Sequence, residues 1–174
     1  MNLENIISLA NSSCRYKKAE IPAEDVEALL RAALYAIACM QGNTCEIYLT
    51  DKPLDMARLS DARDGGRAKS LKDAPLLLAI AANPVHDVAM EEHCEGLLQT
   101  ICSEATALGL TPCPVKIMGY YLSDGEKCED CAGGILNVAD GQAVYAVVGL
   151  GYAEKAETIC DEDDLAWGRI HVIE

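Results

Sequence analysis

Apolar residues recur at helical spacing across residues 90–108: Met90, Cys94, Leu97, Leu98, Ile101, Cys102, Ala105 and Leu108. Glu91, Glu92, Glu95, Gln99, Ser103 and Glu104 lie between them, which describes an amphipathic helix with one broad apolar stripe. Gly109 is placed to stop it, because glycine takes the left-handed C′ conformation cheaply. A helix of roughly 18 residues is about 27 Å long and is expected to be the core helix. Ile21-Pro22-Ala23-Glu24-Asp25 opens a second helix: proline fits the first turn and the acids complement the dipole. Val26, Leu29, Leu30, Ala33 and Ile37 form its stripe, and Gln41-Gly42-Asn43-Thr44 ends it. Further helices are expected over residues 2–10, on Leu3, Ile6, Ile7 and Ala10, and over 52–62, followed by an Asp64-Gly65-Gly66 turn.

Between the helices the pattern changes period. Cys45-Glu46-Ile47-Tyr48-Leu49 alternates as a strand. Residues 74–82 and 143–149 are continuous apolar runs, the pattern of strands buried on both faces. Residues 111–117 read as a proline-marked loop running into an extended segment, and Arg169-Ile170-His171-Val172-Ile173 as a last strand. Residues 119–134 are expected to be irregular. Gly149-Leu150-Gly151 reads as a turn leaving its strand, since no G-x-G-x-x-G opens a helix there. The sum is one α+β domain over residues 1–174, with a central sheet of four or five strands, helices around it, and a C-terminal arm from 154.

Composition narrows the function. Half of the 174 residues are apolar, and the longest apolar run falls far short of the roughly 20 residues of a membrane span. The first residues lack the basic start and apolar run of a signal peptide, so a cytoplasmic protein is expected. The net charge of −14 repels nucleic acid and anionic membrane, and neither is an expected partner. Residues 52–72 nevertheless carry Lys52, Arg58, Arg63, Arg67, Lys69 and Lys72. Nine cysteines without a secretory signal point to reduced thiols. Cys128-x-x-Cys131 is a single pair whose acidic neighbours Glu129 and Asp130 raise thiol pKa values, so it reads as spare loop thiols rather than a metal or redox site. No H-E-x-x-H, G-x-S-x-G or P-loop is present.

Four segments taken in order resemble the flavin-dependent nitroreductase family. Ser12-Ser13-Cys14-Arg15-Tyr16-Lys17 before Ile21-Pro22 is similar to that family's Arg-Ser-x-Arg-x-Phe/Tyr opening. Ala32-Ala33-Leu34-Tyr35-Ala36, with Gln41 and Asn43 following, stands where the family has A-A-x-x-A-P-S-S-x-N-x-Q-P-W. Ala105-Thr106-Ala107-Leu108-Gly109-Leu110-Thr111-Pro112-Cys113 is similar to A-x-A-L-G-L-G-x-C, and Val147-Val148-Gly149-Leu150-Gly151-Tyr152 to V-x-L-G-Y-P. The resemblance covers residues 1–153. It implies a three-layer α/β/α fold on a central mixed sheet, a homodimer with FMN at the subunit interface, and NAD(P)H as reductant. The cofactor site it implies comprises Ser12, Ser13, Arg15 and Lys17 for the phosphate, Gln41 and Asn43, and Pro114, Val115, Lys116 and Ile117 along the ring.

The phosphate motif is degenerate. In the Ser13-Cys14-Arg15 register the family's paired arginines reduce to Arg15, with Ser12 in place of the first; in the register set by Tyr16, Asn11 and Cys14 replace both. A glutamate common beside the flavin is Lys116. Two lost arginine–phosphate contacts, at roughly 1.5–3 kcal/mol each, would lower flavin affinity by orders of magnitude. Two functions are therefore expected to compete. One is an FMN-dependent oxidoreductase passing electrons from NAD(P)H to a nitroaromatic, quinone or similar acceptor. The other is a nitroreductase-like domain that has lost ordinary FMN binding and acts as a binding or sensing module.

Overall fold

The structure, a computed structural model, describes residues 15–64, 66–154 and 166–173. The helix expected over residues 2–10, Ser12 and Ser13 lie outside them, as does Gly65 of the expected turn. Helix α1 (Ala23–Cys39) starts after Pro22 with Glu24 and Asp25 in its first turn. Strand β1 (Glu46–Thr50), helix α2 (Pro53–Asp61) and strand β2 (Leu76–Ala82) follow. A helical turn at Gly66–Lys69 and a 3-10 turn at Leu71–Asp73 precede β2. The core helix is α3 (Met90–Ala107), and Gly109 behind it has φ of 79°. Strand β3 (Thr111–Lys116), helix α4 (Cys128–Leu136) and strand β4 (Ala143–Gly151) complete the body.

The sheet runs β1-β2-β4-β3. Every neighbouring pair among these strands is antiparallel, where a mixed sheet was expected. Leu76, Leu78, Ile80 and Ala82 of β2 face α1 and α3, packing with Leu29, Ala33, Leu97 and Ile101. Leu77, Ala79 and Ala81 face the other way, onto Met56 and Leu59 of α2 and Cys128 and Ala132 of α4. The result is three layers, with apolar side chains on both faces of the sheet as a double-faced core demands. Among the described residues, no helix is long and apolar enough to cross a membrane.

Four segments depart from expectation. The stretch around Cys128 and Cys131 is helical, because Glu129 and Asp130 favour its first turn and Asn137, at φ of 52°, closes it in the left-handed conformation. Residues 111–116 are strand throughout despite two prolines, which an edge position tolerates. Gly149 and Gly151 lie within β4 rather than in a turn. Trp167–Arg169 is a 3-10 turn, and residues 170–173 pair with no strand among the described residues. Cys39, Cys45, Cys94, Cys102, Cys128 and Cys131 are free thiols, whereas Cys113 is disulfide-bonded, against the expectation of reduced thiols.

Candidate functional site

The site expected from the sequence is built along β3 and β4, and two glycines set its first end. Tyr16 is buried against β4, where a Cβ on Gly149 would meet its hydroxyl at 3.0 Å and one on Gly151 its Cδ1 at 2.7 Å. Only residues without a side chain admit the ring there. Tyr16 bridges to Ala153, with Lys17 N donating to Tyr152 O at 2.8 Å and Glu154 N to Arg15 O at 2.9 Å. Strand alternation then turns Arg15 and Lys17 outward, and both are exposed. Among the described residues neither enters an ion pair, so two cations stand free beside the Gly151 end of β4. The Tyr16 hydroxyl finds no hydrogen-bond partner among the described residues, and burial pushes its pKa up.

Lys116 marks the other end. Thr111 pairs with Gly151 and Lys116 with Ala146, so the two ends are about 17 Å apart at 3.4 Å per residue. Val115 and Ile117 point into the core, whereas Pro114 and Lys116 are half-buried on the opposite face. The backbone adds a polar group. Ile117 N donates to Tyr145 O at 2.8 Å; alternation turns the nitrogens of Pro112, Pro114 and Lys116 to the outer edge of β3. Two of these are prolines, so within the strand Lys116 alone offers an N–H there. Its carbonyl, on the same edge, accepts from the Arg63 guanidinium, which also lies 3.7 Å from the centre of the Tyr120 ring.

A bulge orients the Lys116 side chain. Ala81 pairs with Val144 and Ile80 with Ala146, leaving Tyr145 as the extra residue. Tyr145 thereby joins Ala146 on the α1/α3 face. Its ring lies 4.9 Å from Lys116 Nζ, and its hydroxyl donates to Glu95 Oε2 at 3.1 Å. Lys116 Nζ is also 3.4 Å from Glu91 Oε2, in the first turn of α3. Partial burial opposes the ammonium, but the Tyr145 phenol and the Glu91 carboxylate outweigh it and raise the Lys116 pKa. Tyr16, Arg63 and Tyr145 carry this geometry; Tyr16 enters the sequence pattern only as part of the opening motif, Arg63 only as part of the basic segment, and Tyr145 only within an apolar run. Gly149-x-Gly151 was the available signal for Tyr16; a bulge at Tyr145 leaves none.

Gln41 and Asn43 do not join these residues. They follow α1 and precede β1, at the opposite edge of the sheet. Asn43 is committed locally: its amide donates to Ile37 O at 3.0 Å and to Met40 O, and its Oδ1 accepts from Cys45 N at 3.2 Å. A cleft of about 980 Å³ under residues 20–26 and 49–51 contains none of the expected residues, and its charged lining, Glu20 and Asp51, repels a phosphate.

These features fit FMN in part. Free cations stand at one end for a phosphate, and an apolar strand with one outward N–H stands at the other for a ring; the Gln41 side is missing within one chain. No family model and no curated relative matches the sequence. Solved structures do. An FMN-dependent nitroreductase from Clostridium difficile R20291 aligns at TM-score 0.86 and 23% identity over 98% of both chains. An NADH oxidase from Clostridium acetobutylicum aligns at 0.78 and 24%, over 97% of this chain and 99% of the other. A nitroreductase with bound FMN from Bacteroides fragilis NCTC 9343 aligns at 0.72 and 20% over the whole of both. At such identities the likeness carries the architecture, and this chain has the nitroreductase fold.

Proposed function

We propose that the protein is an FMN-dependent oxidoreductase of the nitroreductase type, passing electrons from NAD(P)H to a nitroaromatic, quinone or similar acceptor. The observation that carries this reading is the outer edge of β3, where prolines silence two backbone positions and leave the Lys116 N–H facing out. Such a lone donor beside an apolar wall suits the heteroatom edge of a flavin ring. FMN, when bound, supplies the hydride and electron transfer that no side chain here provides. Arg15 would hold the phosphate through its bidentate fork, with Lys17 as a second charge. Lys116, kept cationic by Tyr145 and Glu91, would stabilise negative charge on the reduced ring. Nitroreductase and NADH oxidase neighbours support the flavin and the nicotinamide donor.

The Gln41 side would come from a second copy. Leu34 and Tyr35 on α1 are 61% and 69% exposed, and Trp167, Ile170, Val172 and Ile173 of the arm 64–90% exposed. A homodimer covering α1, with arms exchanged, would bury both sets and bring one chain's Gln41 segment to the other's β3.

The test is the visible spectrum of the purified protein, followed by an FMN titration if it is colourless. A yellow protein, or saturable binding with quenched flavin fluorescence, is expected. A colourless protein that binds no FMN would move the conclusion to the binding or sensing module. The commitment of Asn43 to capping α1 and the lone guanidinium of Arg15 favour that second reading.

A further inference from the structure

Two thiols face each other where α3 passes the start of β1. Cys45 and Cys94 are 7% and 0% exposed, with their Sγ atoms 3.8 Å apart. A polar clamp holds the segments that carry them. Asp87, itself 2% exposed, accepts the Thr44 amide on Oδ2 at 3.1 Å, while its Oδ1 lies 2.8 Å from His93 Nδ1. Thr44 precedes Cys45 and His93 precedes Cys94, so one buried carboxylate ties the two residues that introduce the sulfurs. The Ala89 amide reaches the same Oδ1 at 3.2 Å, and Asn83 N donates to Thr44 Oγ1 at 2.8 Å. The strand end and the helix start are thus fixed in register with the thiols opposed.

The two sulfurs are also unequal. The hydrogen bond between the two thiols, which either sulfur can donate, lowers the Cys45 pKa against burial and the Asp87 charge. The same hydrogen bond and burial push Cys94 up. Cys45, 7% exposed against 0% for Cys94, is the thiol that a peroxide reaches first, which makes it the nucleophile and Cys94 the resolving thiol. Among the described residues Cys102 has no such thiol partner, and burial pushes it up to about 11.

We propose that Cys45 and Cys94 form an oxidation site for peroxides, closing to an intramolecular disulfide. The Cys45 thiolate attacks one peroxide oxygen and the O–O bond breaks. Cys45 becomes a sulfenic acid, and the departing hydroxide takes up the proton Cys45 had released, leaving as water. The Cys94 sulfur then attacks the Cys45 sulfur; the hydroxyl leaves with the Cys94 proton as a second water. Two thiols lose two electrons in total, and hydrogen peroxide is reduced to two waters. The sulfurs must close from 3.8 Å to about 2.05 Å, with the Asp87 clamp holding both backbones. The product fastens β1 to α3 and stiffens the Gln41-to-Thr44 connection. This inference stands apart from the flavin reading and needs no cofactor.

The test treats the fully reduced whole chain with one equivalent of hydrogen peroxide, followed by quenching with N-ethylmaleimide, denaturation and non-reducing peptide mapping. The expected result is a peptide pair joined through Cys45 and Cys94, two hydrogens lighter than the reduced pair. Dithiothreitol should reverse the link, and the oxidised chain should melt at a higher temperature than the reduced one. Cys45→Ser should abolish the link; the wild-type map decides the matter alone if that variant fails to fold. The proposal is overturned if both cysteines are recovered as thiols after peroxide has oxidised exposed Cys39. A link from either of them to a different cysteine overturns it equally.

Discussion

Arg15 and Lys116 stand at opposite ends of β3 and differ in their surroundings, so their replacements should separate. Arg15 is exposed and, among the described residues, makes no ion pair. Arg15→Ala should weaken FMN binding at least about tenfold, or roughly 1.4 kcal/mol, in a fluorescence titration. Lys116→Ala should leave binding nearly unchanged and lower the flavin's reduction potential, because the cation opposing negative charge on the reduced ring is gone. Potentiometry on the same preparations checks it; unchanged FMN affinity in Arg15→Ala would move the phosphate site elsewhere. Gly151→Ala is a steric test: its Cβ would lie 2.6 Å from Pro75 Cδ and 2.7 Å from Tyr16 Cδ1. Such overpacking should cost about 1–3 kcal/mol in urea denaturation and displace the Arg15 segment.

Asp87 supplies a pH dependence. Burial opposes its ionisation, but the hydrogen bonds from His93 and the Thr44 and Ala89 amides prevail and hold its pKa below the usual carboxylate value. A depressed folded-state pKa means the stabilisation is fully present above the unfolded value of about 3.9. It is lost as pH falls through the lower, folded value. Acid unfolding followed by circular dichroism should therefore lose part of its steepness below about pH 4 in Asp87→Asn. An identical acid limb in wild type and variant would contradict this.

Among the elements, α4 changes what its cysteines are expected to do. Read as loop thiols, both would tolerate serine; in the helix, Cys128 is fully buried against the sheet and Cys131 only half so. Cys131→Ser should shift stability by no more than about 0.5 kcal/mol. Cys128→Ser, leaving a hydroxyl in an apolar layer, should cost about 1–3 kcal/mol, read by thermal unfolding. The helix escaped a pattern reading because Cys128-Glu129-Asp130-Cys131-Ala132-Gly133-Gly134 holds two glycines and no long apolar stripe. The boundaries of α3 were legible because its stripe runs five turns to a glycine stop. Strands β2 and β4 were legible because burial on both faces leaves no polar residue to interrupt them. Strand β3 was hidden by its prolines, whose acceptability depends on which strand lies at the edge. The candidate site was expected at Arg15, Lys17 and Lys116 from local motifs, and the structure sets these residues at the two ends of β3. Its positioning groups, Tyr145 and Arg63, depend on a bulge and a distant loop that local pattern does not encode.

For the whole molecule, the unpartnered apolar surfaces of α1 and the arm set the main prediction. Sedimentation at micromolar concentration should give a dimer, and a chain lacking residues 154–174 should dissociate more readily. A wild-type monomer, or equal dimerisation by the truncated chain, would contradict the exchanged-arm arrangement. In an exchanged-arm dimer the arm would add at β1. Main-chain pairing needs N–H donors, β1 contains no proline, and the outer edge of β3 is stripped of donors at Pro112 and Pro114.

Those two prolines have a consequence in the language of polymer chemistry. A sheet with two competent edges is a difunctional monomer: each chain can pair on both sides, and growth has no natural end. Replacing one edge by a donor-poor surface makes the sheet monofunctional, so edge-to-edge pairing terminates after a single joining event. Pro112 and Pro114 thus act as a chain terminator against fibrous growth. Pro112→Ala with Pro114→Ala would restore the second reactive end, and light scattering of the concentrated double variant should rise with time while the wild type stays constant.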